Sequence, residues 1–254
     1  MRSVFSIFRL NVLSLALAAI GTTAIMSCSK LDNDDRQTTP VAGLMAFNLA
    51  PEQAGLVLTL NGNSLTGYPL PYTNYTGGYL SVFPGSRVLE AFSSNSPSGL
   101  PIATASAVFD AEKYYSAFTV GAGNHYRNII VHDDFDTLPA NGKAYVRYVN
   151  ALIDSTKPAT VVISANGSAV VNQPVVYGSV GEFAAISPGE VNVALSSGDI
   201  AANRTITLEQ NKVYTVLLTG LPGVTPESEM IKFIANGLLT EQESKQSSAR
   251  SAAR

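Results

Sequence analysis

The sequence predicts an all-β chain that carries two tandem β-sandwich domains of similar construction. Three observations lead there. Short apolar runs are cut by turn residues about every 8–12 positions, the rhythm of a sandwich. No segment sustains the roughly 3.6-residue apolar period of a capped helix, which argues against a scaffold that needs crossover helices. Four blocks recur in the same order, at offsets of 102, 105, 104 and 99 residues. A repeat at near-constant spacing marks a duplicated structural unit.

The blocks define the elements in turn. Phe47-Asn48 corresponds to Val149-Asn150, and Leu58-Thr-Leu-Asn-Gly62 to Ile163-Ser-Ala-Asn-Gly167. Gly55–Leu60 and Thr160–Ser164 are β-rich runs. Each leads into an Asn-Gly pair, which readily takes the positive φ of a tight hairpin turn. Tyr79–Gly85 matches Phe183–Gly189 through a shared Pro-Gly turn, and Glu112–Gly121 matches Asn211–Gly220. Val191–Leu195 alternates as a half-buried strand should, and Thr205–Leu208 repeats the pattern before a polar turn. Val213–Thr219 is a further strand, and Ile129–Val131 closes the first unit. Together these predict two tandem immunoglobulin-like β-sandwiches at residues 41–141 and 142–240. A connection of about six residues containing Pro139 leaves little freedom, so a short stiff rod is expected.

The ends read differently. Arg2 and Arg9 precede a mostly apolar run from Leu10 to Met26, the pattern of a secretory leader over residues 1–27. Cys28 is the chain's single cysteine, so it has no internal disulfide partner. The run Ile25-Met26-Ser27-Cys28 resembles a bacterial lipobox, with Met26 an unusual residue before Ser27. That resemblance implies lipidation at Cys28 and a lipid bilayer as partner, with enough acyl chain for stable anchoring. Residues 28–40 are polar and acidic and are expected to form a flexible tether. They resemble the acidic segments that follow the lipidated cysteine in surface-exported lipoproteins of Bacteroidetes, which implies the outer membrane of the cell envelope and exposure at its surface. Residues 241–254 lack an apolar face and are expected to be disordered. Loss of Arg2 and Arg9 with the leader leaves 14 basic against 19 acidic side chains. No basic run supplies the positive footprint that DNA or RNA binding needs.

The run Gly142-Lys-Ala-Tyr-Val-Arg-Tyr-Val-Asn150, preceded by Val131-His-Asp-Asp-Phe135, resembles the repeated modules known as domain of unknown function 4397. Tyr177–Phe183, Pro188-Gly189 and Lys212-Val-Tyr-Thr215 carry the same resemblance. It spans most of residues 42–236 and is clearer in the second copy. The first copy departs by carrying Leu44-Met-Ala46 where the second has Tyr145-Val-Arg147. The resemblance implies a sandwich fold in secreted or lipid-anchored proteins and brings no catalytic residue with it.

Candidate chemistry is sparse. His125 and His132 lie seven positions apart, so along a regular strand they face opposite sides. His132 with Asp133, Asp134 and Asp136 is rich in ligand atoms, yet its spacing matches no zinc or calcium motif and reads as a charged turn. No Gly-x-Ser-x-Gly elbow is present. Asp110, Glu112, Glu182 and Glu190 fall beside turns, where solvated charge is ordinary. Neither a catalytic group, a metal nor a cofactor is expected, and the chain is read as a noncatalytic binding or spacer module. A structural subunit of a surface assembly is the alternative, with a hydrolase behind it. Tyr68, Tyr72, Tyr75 and Tyr79 crowd a loop rich in proline and glycine. Such rings suit contact with a glycan, a peptide or an envelope protein. The plainer reading is that they close the end of the first sandwich and cover apolar side chains.

Overall fold

The structure is a computed structural model that describes residues 39–153 and 158–239. Cys28, the leader 1–27, nearly all of the tether 28–40 and the tail 241–254 lie outside the described residues.

The first half forms nine strands: β1 (Ala42–Leu49), β2 (Gly55–Leu60), β3 (Asn63–Ser64), β4 (Leu70–Pro71), β5 (Leu80–Val82), β6 (Gly85–Ser93), β7 (Ala103–Phe109), β8 (Tyr114–Ala122) and β9 (His125–Asp133). One sheet has the order β5-β1-β8-β9; the other runs β3-β2-β6-β7, with β4 also on β2. The second half forms β10 (Ala144–Leu152), β11 (Ala159–Ala165), β12 (Ser168–Val175), β13 (Ala184–Ile186), β14 (Gly189–Ser197), β15 (Ile200–Leu208), β16 (Lys212–Gly220) and β17 (Ile231–Leu238). Its sheets are β13-β10-β16-β17 and β12-β11-β14-β15. The architecture is therefore all-β, with four sheets in two pairs. Strand pairing is antiparallel except for β1 with β8 and β10 with β16, which are parallel in both copies.

Local sequence explains the recurring devices. Asn61-Gly62 has φ of 49° and 77°, and Asn166-Gly167 has 52° and 76°. Two consecutive positive values make the turn that matches strand twist in a two-residue hairpin. Asn48 and Asn150 sit buried at the end of their strands. Asn48 Nδ2 donates to Leu70 O, and its Oδ1 accepts from Ala50 N. Asn150 makes the corresponding bonds with Val175 O and Leu152 N. Tyr115 Oη accepts from Asp110 N at 3.0 Å, and Tyr214 Oη accepts from Glu209 N at 3.0 Å. Each copy thus ties the start of a central strand back to the loop five residues upstream.

Each pair of sheets has its own core, built around Leu44, Leu58 and Leu89 in the first half and Val146, Ile163 and Val193 in the second. The alternate residues of the central strands are buried as well. Met45, Phe47, Leu49, Phe118 and Val120 form one cluster with Val149, Ala151 and Leu217. The face of sheet β5-β1-β8-β9 therefore packs on the face of sheet β13-β10-β16-β17. Residues buried on both faces of a sheet read as continuous apolar runs, which is why β10 and β16 show no polar alternation. Removing side chains of this size from water contributes about 1.5–3 kcal/mol each.

This seam replaces the expected rod. The described residues all belong to one compact unit. The connection after β9 folds back, and Phe135, Leu138 and Ala140 pack against Tyr145, Val213, Leu239 and Phe183. The run at residues 132–136 is also not simply a solvated turn, because Asp133 is buried. The physical reason for both lies across the seam, in Arg147.

Candidate functional site

Six polar side chains from the two halves close a ring inside the seam. Tyr79, Ser116 and Asp133 come from the first half; Arg147, Thr215 and Asn236 come from the second. Arg147 Nη1 lies 2.7 Å from Asp133 Oδ1, and the two side chains are 3% and 0% exposed. Asp133 Oδ2 accepts from Tyr79 Oη at 2.5 Å and from Ser116 Oγ at 2.6 Å. Arg147 Nη2 donates to Ser116 Oγ at 3.0 Å, and its Nε donates to Thr215 Oγ1 at 3.1 Å. Thr215 Oγ1 donates to Asn236 Oδ1 at 2.6 Å, and Asn236 Nδ2 returns to Tyr79 Oη at 3.2 Å. The Arg147 guanidinium carbon lies 4.3 Å from the Phe183 ring centroid and 5.9 Å from that of Phe118.

The register explains why these groups meet. In the parallel pairs, Met45 lies opposite Ser116 and Arg147 opposite Thr215. Met45 is therefore the equivalent of Arg147, one position away from the pairing of Leu44-Met-Ala46 with Tyr145-Val-Arg147 drawn from sequence. The duplicated fold puts a thioether in one copy where the other has a cation.

Burial of a lone carboxylate is costly, and an opposite charge with further donors is what makes it tolerable. Both oxygens of Asp133 are engaged inside the ring. Burial, followed by the neighbouring Asp133 charge, holds the Tyr79 phenol well above its ordinary pKa. It therefore stays a proton donor to the carboxylate. Chemically, the arrangement fixes the two sheets in one register.

The four loop tyrosines separate. Tyr68 is 80% exposed and stands clear of the body. Tyr72 Oη hydrogen-bonds Thr219 Oγ1 at 2.8 Å in the second half. Tyr75 stacks on Phe47 with ring centroids 5.5 Å apart. Tyr79 joins the polar ring. Three of the four thus turn toward the second sandwich, and the structure does not gather all four on one surface. His125 and His132 are both exposed, at opposite ends of β9, and His132 lies against Tyr115. Ser116, Asp133, Thr215 and Asn236 were not singled out as partners in the sequence. The useful signal was Arg147, a charge in the middle of an apolar strand.

Beside the ring, the seam opens into a small pocket of about 180 Å³. Tyr79, Tyr114 and Phe135 line it from the first half and the connection, and Val213, Asn236 and residues 237–239 line it from the second. A broader cleft of about 650 Å³ lies at the far end of the second half, between the β14–β15 turn and the loop before β17. It carries Asp199 and Glu227 and no aromatic ring.

A family model described as Domain of unknown function (DUF4397) matches residues 42–157. Residues 42–157 form a DUF4397-like domain. The match covers the whole first sandwich and continues through β10 of the second. No protein in a search of curated proteins matches the chain. The second half repeats the sheet pair of the DUF4397-like domain, including its parallel central strands and its Tyr214 tie.

Proposed function

We propose that this chain is a noncatalytic module of the bacterial cell envelope: two tandem DUF4397 sandwiches of immunoglobulin-like topology, anchored through lipid on Cys28, which hold a fixed distance and present a binding surface. The six-residue ring across the seam carries this reading. A module that only tethers needs no rigidity, whereas a spacer does, and a buried ion pair with six further hydrogen bonds opposes hinge motion between the halves. The immunoglobulin-like assignment is supported by the tyrosine ties of Tyr115 and Tyr214, which resemble the tyrosine corner of that architecture. The anchor is supported by the placement of Cys28 after the leader.

Cys28→Ser in cells tests the anchor. The variant should lose incorporation of labelled lipid and move from the membrane pellet to the soluble fraction. Unchanged lipid incorporation overturns it. Solution scattering of the soluble variant tests the spacer. A single compact pair of sandwiches should account for the profile, and a profile that needs a wide range of inter-domain distances removes that role.

A further inference from the structure

The geometry points to the seam pocket as a binding site for one neutral ring, of the phenol or indole class, that carries a single polar substituent. The inference rests on the binding half of the proposed function and gives that half a place and a ligand chemistry.

Size comes first. An apolar cavity of about 150 Å³ is large enough to take up benzene, and this pocket is about 180 Å³. It has room for one ring and a small substituent, and is too small for a sugar chain or a folded peptide. The walls come next. Tyr79 and Tyr114 meet edge to face with centroids 4.9 Å apart, and Phe135 stands 5.9 Å from Tyr79 and 5.5 Å from Tyr114. Three aromatic rings at steep mutual angles offer both faces and edges, the geometry that aromatic ligands prefer. Val213, Leu238 and Leu239 complete an apolar lining.

Charge decides against an ionic ligand. Charged groups around the pocket are paired: Asp133 with Arg147 inside the seam, Asp136 with Lys113 at the surface, and Lys212, opposite Leu238 in the strand register, with Glu209. A cation or anion would shed its hydration for no partner. One polar group at the wall remains incompletely used. Asn236 is 6% exposed; its amide donates one hydrogen bond, to Tyr79 Oη, although it carries two N–H groups. A hydroxyl oxygen on the ligand would accept from that second donor, whereas an indole N–H, itself a donor, would be held by the aromatic walls alone.

The pocket also depends on a residue outside its lining. Gly43 lies opposite Tyr114 in the parallel pair. A Cβ at Gly43 would sit 2.6 Å from Tyr114 Cδ1 and 3.2 Å from Tyr79 Cβ. Glycine there lets the Tyr114 ring lie flat across β1, and that ring is one wall of the site.

The chain contains no tryptophan, so indole fluorescence can be read without background from the protein. Indole titrated into the whole mature protein should bind saturably, and p-cresol should displace it. Benzoate and benzylammonium should not compete. Tyr114→Phe keeps the ring and should bind within about twofold of the parent, whereas Tyr114→Ala should weaken binding about tenfold, the upper range for an aromatic pair. Gly43→Ala should weaken binding by displacing that ring, with the far-UV spectrum checking that the fold survives. Non-saturable uptake of indole, or equal binding by Tyr114→Ala, overturns the site. Effective competition by either ionic ring overturns the ligand class. Each of these failures leaves the Cys28→Ser fractionation result standing, so the two readings fail separately.

Discussion

Arg147 of the second sandwich and Asp133 of the first meet at 2.7 Å in a place that solvent does not reach. Removing one partner from such a pair leaves an uncompensated buried charge, which typically costs about 3–5 kcal/mol. Arg147→Met installs the residue found at the equivalent position of the first copy, and it should destabilise the protein by about that amount in urea unfolding. Combining it with Asp133→Asn should recover part of the loss. A strictly additive double variant would show that the pair does not act as a unit.

Tyr79 makes the seam sensitive to alkali. Burial raises its pKa first, and the Asp133 charge and hydrogen bond raise it further. The unfolded phenol releases its proton at about pH 10. Above that pH the unfolded chain binds fewer protons than the folded one, so stability falls as pH rises. The contribution is whole below about pH 10 and is lost progressively above it. Tyr79→Phe should lower stability at neutral pH by about 1–3 kcal/mol, because Asn236 and Asp133 lose a partner. Its stability should also decline less steeply above pH 10, by up to about 1.4 kcal/mol per pH unit. Equal slopes in parent and variant would place the alkaline sensitivity elsewhere, with Tyr72, also raised by burial, the next group to test.

The halves should depend on each other. Separately produced residues 142–240 keep their own sheet pair and core, and should show β structure in the far-UV spectrum. They also expose Val149, Ala151 and Leu217, all fully buried in the whole chain. We expect a lower melting temperature for the isolated half, with recovery when residues 40–141 are added. An isolated half as stable as the whole chain would mean that the seam contributes nothing.

Much of the fold was legible because its signals are local and repeated. The Asn-Gly pairs dictate hairpins through backbone conformation alone. The glycines that close two of the repeat blocks, Gly121 and Gly220, have φ of 132° and 130°, a region closed to other residues. A Cβ at Gly121 would lie 2.2 Å from His125 O. The seam was illegible for the opposite reason. Asp133 stands in an acidic run whose other members look like a solvated turn, and its partner is a strand away in the other half. Tyr79 was picked out as an aromatic on a loop, while the acceptor that draws it inward depends on long-range packing. Tyr114, Asn236 and Leu238 carry no pattern that marks them as neighbours.

The exchange of Met45 for Arg147 has a consequence for pairing between molecules. After a duplication, the two copies would present matching faces, and any copy could stick to any other. Here the faces have become unlike. Two second halves brought together homotypically would bring two Arg147 side chains to the interface without Asp133 to receive them; two first halves would bring two Asp133 side chains without a cation. Like-with-like docking therefore carries an electrostatic penalty that the correct order avoids. Wherever copies of this chain collide, that asymmetry would keep each chain closed on itself.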